Sequence, residues 1–168
     1  RNATIVYSGG DDIFLVGAWN EIIEVFMDLR RALEKFTQGT LTISAGIGMY
    51  RPGYPINIMA KETALLEEIS KGMPGKDSIT LFDKNNNYTW TEFQDEVIGE
   101  KFEIIKKFFD HSDERGKAFL YNLLELLRNS EEKIQMARFV YFLSRMEPEE
   151  KSGREQKEDY RLFSRKMY

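Results

Sequence analysis

The sequence predicts an α+β chain, with a partial ferredoxin-like β-rich domain over residues 1–84 followed by an α-helical bundle domain over 85–168. Three observations carry this reading. Two short β-rich runs, residues 4–7 and 13–16, flank a Gly-Gly-Asp-Asp turn. Strand-like and helix-like stretches then alternate as far as Phe82. Beyond the run Asn85, Asn86, Asn87 only helical periodicity is left.

TIVY (4–7) and IFLV (13–16) are apolar at consecutive positions, so their hairpin is expected to be buried on both faces. Asn20 is placed to cap a helix, with Glu21 and Glu24 early in it, where the helix dipole favours acids. Ile22, Phe26, Leu29, Leu33 and Phe36 recur at spacings of four and three, and Gly39 supplies the stop. LTISAGIGMY (41–50) returns as a strand in which Gly46 and Gly48 leave room for something to approach the backbone. Pro55 opens a second helix carrying Ile58, Leu65 and Ile69, which Gly72 ends. SITLF (78–82) is a further strand. This order matches the later part of a βαββαβ unit with an added helix and strand. The opening strand and first helix of that unit are not among these residues. An edge left open beside the hairpin would expose unpaired backbone, so the chain is expected to be a portion of a longer one.

In the helical half, Asn85–Asn87 reads as a turn-prone linker, and Thr91 with Gln94 as a capping box. Phe93, Val97, Ile104 and Phe108 form one stripe. Leu120, Leu123, Leu124 and Leu127 mark a second helix, and Ile134, Tyr141 and Met146 a third from about Ser130. EPEEKSGREQKED (147–159) is almost wholly polar and is expected to be a mobile loop. A last helix is expected from near Asp159.

Composition bounds the function. A hydrophobic share of 42% and a charged share of 31% are those of a globular domain, and a net charge of −4 supplies no global basic field for nucleic acid. With no cysteine there is no disulfide and no thiolate metal site. No apolar run approaches a membrane span.

The chemistry is concentrated in the turn. A hairpin turn needs residues tolerant of positive φ, but not two adjacent carboxylates. At ~4 Å two such charges repel by about 4 kcal/mol at an effective dielectric of 20, so a positive group is expected against Asp11 and Asp12. Carboxylates at a hairpin tip are how palm-type polymerases and nucleotide cyclases hold Mg²⁺, which keeps its remaining positions for water and substrate phosphates. Side chains at Gly9 or Gly10 would fill the space a nucleotide needs there, and the Ser8 hydroxyl could reach a base or ribose.

SGGDD between two β-rich runs, followed by LTISAGIGMY and SKGMPGKDSITLF, resembles nucleotide-cyclase-like palm domains. The likeness is to the large subunit of type III-A CRISPR interference complexes, the Csm type. HSDERGKAFLYNLLELLRN (111–129) is similar to the helical domain that follows the palm there. The resemblance implies an ATP-using, metal-dependent nucleotidyltransferase that makes cyclic oligoadenylate second messengers for antiviral defence when its complex holds target RNA. It implies Asp11 and Asp12 as catalytic metal ligands for Mg²⁺ or Mn²⁺, and Ser8, Gly9 and Gly10 in the nucleotide pocket. Lys71 and Lys76 fall where related cyclases place cations against the triphosphate. The partners implied are CRISPR RNA, target RNA and other Csm subunits, including a small helical one, in the cytoplasm of a prokaryote and with no membrane role. The family's HD nuclease domain, first palm and zinc segment would lie before Arg1.

The turn continues as Asp12-Ile13-Phe14, where diguanylate cyclases carry Glu-Phe directly after the turn. That argues against a cyclic-di-GMP enzyme, which stays as an alternative beside a non-catalytic palm scaffold. His111 is expected to cap or solvate a helix start. Phe102, Phe108, Phe109, Phe119, Phe139, Tyr141 and Phe142 are expected in the bundle core and a partner interface. Arg115, Lys117, Arg128, Arg138 and Arg145 are expected to form an ordinary charged face.

Overall fold

The computed structural model describes residues 2–110, 117–128, 133–148 and 153–167. They belong to two compact units, Arg1–Gln94 and Asp95–Tyr168.

The first unit opens with the expected hairpin, β1 (Ala3–Gly9) and β2 (Asp12–Gly17), paired antiparallel. Helix α1 (Trp19–Thr37), strand β3 (Ala45–Ile47), helix α2 (Ile56–Lys71), strand β4 (Ser78–Leu81) and strand β5 (Asn87–Thr89) follow. β3 and β4 run parallel with α2 as their crossover, and β5 adds antiparallel to β4. The hairpin and the β3–β4–β5 sheet are separate, with no pairing between β2 and β3. In a complete βαββαβ unit the opening strand lies between the third and fourth strands, the place of this gap.

Helix α2 is held on its sheet by close approach and by buried hydroxyls. A Cβ at Gly46 would lie 2.4 Å from the Glu67 backbone nitrogen and 2.6 Å from the Thr63 carbonyl oxygen. What approaches the glycine strand is therefore the backbone of α2. Ser70, wholly buried, donates to the Ala45 carbonyl at 2.8 Å and shares a 2.7 Å hydroxyl contact with Thr80. Ser78 donates to the Ser70 carbonyl at 2.8 Å. These bonds satisfy polar groups that would otherwise each cost about 1–3 kcal/mol in the interior. They fix the last turn of α2 against β3 and β4.

Several expectations need correction. The hairpin is not buried on both faces: Ile5, Val6 and Tyr7 are exposed, because α1 leans on β2 rather than β1. The cap of α1 is Ala18, without a side-chain bond, and Asn20 sits inside the first turn. Ile22 and Phe26 are buried as expected, but Phe36, near the helix end, is 87% exposed. Helix α1 stops at Thr37, with Gln38 and Gly39 both at positive φ. The strand expected over 41–50 shrinks to Ala45–Ile47. Ile58 and Leu65 face outward, and the inward side of α2 runs through Met59, Thr63, Leu66 and Ser70. That side is half polar, so an apolar stripe pointed to the wrong phase.

The first unit also extends past residue 84. Trp90 is wholly buried and its indole N–H donates to the Ile43 carbonyl at 2.9 Å. Phe93 packs edge-on against it. The Asn85–Asn87 run is thus a turn into β5 rather than a linker, and the capping box is Thr89 with Glu92, not Thr91 with Gln94. Helix α3 is the single turn Trp90–Glu92 and leads into a π-helical stretch, Phe93–Phe102.

In the second unit, α4 (Glu103–Asp110), α5 (Lys117–Arg128), α6 (Lys133–Ser144) and α7 (Arg154–Met167) enclose an aromatic core. Phe108, Phe119, Leu123, Phe139, Leu143 and Phe163 are buried there. Phe108 stacks on Phe163 at 4.0 Å between centroids, within 3° of parallel. The Tyr160 hydroxyl donates to the Leu143 carbonyl at 2.9 Å. Helix α7 begins at Arg154, earlier than the composition of 147–159 suggests, because Tyr160 and Phe163 give the helix an apolar side to bury. Leu124, Phe102 and Tyr141 are exposed rather than core, and Arg138 and Arg145 are exposed as expected of a charged face. His111, Arg115 and the side chains of Lys117, Leu120, Leu127, Arg128 and Ile134 lie outside the described residues. Among the described residues no helix is long and apolar enough to cross a membrane.

Candidate metal centre

The hairpin register pairs Gly9 with Asp12, leaving Gly10 and Asp11 as the two turn residues. Gly10 has φ +63°, the backbone that a type II′ turn requires at its first central position. Nothing stands near a Cβ built there, so its conformation and not its surroundings demands glycine. At Gly9 the reason differs: a Cβ would lie 2.5 Å from the Tyr7 phenol oxygen. The phenol is the far end of an exposed side chain, which can turn aside, so this contact leaves the space beside Gly9 open to a ligand.

A bulge between Ile5 and Tyr7 sets the phase of the hairpin tip. Tyr7 pairs with Phe14 and Gly9 with Asp12, so these four share one face. Ser8 pairs with Ile13 on the opposite face and is exposed. The pleat therefore separates Ser8 from Asp12.

The positive group expected against the carboxylates is Lys71, the last residue of α2. Its Nζ lies 3.8 Å from Asp12 Oδ1 and 2.8 Å from Glu67 Oε1. The hydrogen bond that Lys71 donates to Glu67, ahead of the fields of Glu67, Asp12 and Asp11, holds the Lys71 ammonium pKa above the ordinary lysine value, against some desolvation. Lys71 is thus charged throughout the physiological range. Both ends of the Lys71–Asp12 pair are half exposed or more, so it contributes at most about 1 kcal/mol to folding. Its interest is positional. Glu67 was missed in the sequence; its signal there is only an i, i+4 Glu–Lys spacing, which many surface helices carry.

Lys76 is not brought to the carboxylates. It is exposed, at φ +53°, on the loop after α2. That loop is tied elsewhere: Arg30 makes a two-pronged contact with Asp77 (2.7 and 3.3 Å), and Ser44 donates to the Lys76 carbonyl at 2.8 Å.

A cavity of about 620 Å³ lies within this unit, reaching from Asp11 and Asp12 to Phe26 and Ala45, with Thr63 and Glu67 of α2 on its wall. Ser8, Gly9, Gly10, Lys71 and Lys76 are not among its lining. Among the described residues no group of three or more His, Cys, Asp or Glu side chains could close around a metal. The donor set at the turn is two exposed carboxylates. That fits Mg²⁺ or Mn²⁺ retaining water and substrate phosphates, and does not fit a fully protein-ligated ion.

Residues 1–80 match the family model for the Cas10/Cmr2 second palm domain. Residues 106–168 match that for the second helical domain of the Cmr2 subunit of the CRISPR RNA silencing complex. The chain is 51% identical, over 87% of its length, to the CRISPR system single-strand-specific deoxyribonuclease Cas10/Csm1 (subtype III-A) of Mycobacterium tuberculosis. It is 42% identical over its whole length to the protein of the same name from Streptococcus thermophilus. The chain belongs to the Cas10/Csm1 family of subtype III-A CRISPR systems. A Cmr2 subunit from Pyrococcus furiosus is 28% identical over 71% of the chain. The chain spans 18% and 22% of the length of the first two relatives. In Cas10 terms, the hairpin with its two carboxylates lies in the second palm, and the aromatic bundle is in the second helical domain.

Proposed function

We propose that Asp11 and Asp12 hold the metal of an ATP-using nucleotidyltransferase that makes cyclic oligoadenylate when its CRISPR complex holds target RNA. The observation that carries this is the turn itself: two carboxylates at a hairpin tip, with the Lys71 ammonium 3.8 Å from Asp12. In the reaction a ribose 3′-hydroxyl attacks an α-phosphate, a 3′–5′ phosphodiester forms and pyrophosphate leaves. Bound Mg²⁺ or Mn²⁺ would supply charge neutralisation at the phosphates and acidify the attacking hydroxyl. Asp11 and Asp12 provide its carboxylate oxygens. Gly10 gives the turn the backbone that presents them, and Lys71 donates to the phosphates. Gly9 lies on the Asp12 face of the hairpin, whereas Ser8, on the opposite face, and Lys76, on the loop after α2, would contact the nucleotide only after rearrangement.

The whole protein would act as a subunit of a Csm complex, with CRISPR RNA, target RNA and a small helical subunit as partners, in the cytoplasm of a prokaryote. The deoxyribonuclease activity that the relatives' name carries would belong to an HD-type domain outside these residues. The test is product identity. The full-length protein in its complex, given target RNA and either ATP or GTP with Mg²⁺, is expected to yield cyclic oligoadenylate from ATP by mass spectrometry. Product from GTP alone would replace this reading with the diguanylate-cyclase one, and no nucleotide product from either would favour the scaffold.

A further inference from the structure

Glu67 is a member of an ordinary helix pair by sequence, yet three observations set it apart. A Cβ at Gly46 would lie 2.4 Å from the Glu67 backbone nitrogen, so this part of α2 sits on β3 as closely as only a glycine there allows. One turn on, Ser70 is wholly buried and bonded to β3 and β4, so the helix cannot rotate at this point. And Glu67 lines the cavity that also reaches Asp11 and Asp12, while its carboxylate holds Lys71 Nζ at 2.8 Å.

We infer that Glu67 is a positioning residue for nucleotide binding, acting through Lys71. This rests on the reading of the turn as a metal and triphosphate site. Lysine carries a long, rotatable stem and loses much freedom when its ammonium is fixed. An exposed Lys71 at a helix end would sample many positions. Glu67, on the most tightly held turn of α2, restrains the ammonium on the side of the helix that faces the hairpin tip, within 3.8 Å of Asp12. When a metal neutralises Asp12, Lys71 loses its weaker partner and keeps the stronger one. Its ammonium is then available to a phosphate oxygen beside the turn without first being ordered. A purely structural pair would contribute to helix stability and nothing to ligand affinity.

The test is equilibrium binding of α,β-methylene-ATP with Mg²⁺ to the full-length protein in its complex, for wild type, Glu67→Gln, Lys71→Gln and the double variant. Glu67→Gln is expected to weaken binding about three- to fivefold, and Lys71→Gln at least as much. In the Lys71→Gln background the Glu67 change is expected to have no further effect, because the residue it positions is gone. Additive losses in the double variant, or tighter binding by Glu67→Gln through lost repulsion of the phosphates, would overturn the inference. Oligoadenylate synthesis is assayed alongside for the wild type. Failure there sinks the nucleotidyltransferase reading itself, whereas normal synthesis with an additive cycle sinks only the role of Glu67.

Discussion

Changing Asp11 and Asp12 together to asparagine is expected to lower oligoadenylate synthesis by the assembled full-length protein by on the order of a thousandfold or more, several kcal/mol of transition-state stabilisation. Folding should be almost untouched. Both side chains are exposed, and the change removes their mutual repulsion along with the Lys71–Asp12 pair. These effects oppose each other, and each is small at a solvated turn, so the net shift in stability is expected to stay within about 0.5–1 kcal/mol. Assembly and melting temperature are therefore the controls, with product measured by mass spectrometry. Synthesis near the wild-type level from a well-assembled double variant would remove the turn from the chemistry.

The second large effect lies in the bundle, where adjacent leucines on α5 differ sharply. Leu123 is 2% exposed among Phe119, Phe139 and Leu143, whereas Leu124 is 48% exposed. Leu123→Asp buries an unpaired charge in an aromatic core and is expected to cost several kcal/mol, enough to unfold the helical unit of a marginally stable domain. Leu124→Asp is expected to cost under about 1 kcal/mol. Helical circular dichroism on melting, with limited proteolysis of the 95–168 region, distinguishes them. Equal losses from the two variants would mean that the stripe on α5 is turned differently.

The comparison of these two leucines shows what sequence periodicity can and cannot resolve. The run Leu120, Leu123, Leu124, Leu127 marks a helix, and α5 is there. With apolar residues at adjacent positions, however, the pattern does not say which one faces inward, since only the partner helices decide. Helix α2 failed in the same way. Its inward side carries Thr63 and Ser70, whose hydroxyls are satisfied by β3, β4 and Tyr50, so burial there left no apolar trace. Helix α7 was partly hidden because a very polar stretch starts it and only Tyr160 and Phe163 reach the core. The first compact unit runs on to Gln94: the three asparagines look like a linker, while the anchoring contact, Trp90 to the Ile43 carbonyl, spans residues far apart in sequence.

At the site, the turn was fully legible: Gly10 at positive φ and two exposed carboxylates follow from four letters. The need for a counter-charge follows from Coulomb repulsion alone, and Lys71 meets it only in part, since its closer partner is Glu67. Lys76 shares the same lysine-and-glycine-rich stretch, but Arg30, through Asp77, and Ser44 tie its loop away from the turn. At Gly9 the Tyr7 phenol lies over the backbone, a contact between residues two apart on one strand face that the letters do not announce. Glu67 carried too common a spacing to be noticed.

The most direct test of the central claim, that Asp11 and Asp12 are the metal ligands, is Mn²⁺ binding followed by electron paramagnetic resonance. The full-length protein in its complex is titrated with Mn²⁺ in the presence and absence of α,β-methylene-ATP, which isolates the nucleotide-dependent ions from any bound elsewhere. The wild type is expected to show a saturable, nucleotide-dependent class of bound Mn²⁺ that the Asp11→Asn, Asp12→Asn variant loses while its other Mn²⁺ sites persist. The same nucleotide-dependent Mn²⁺ binding in that variant would contradict the assignment of the turn as the metal centre.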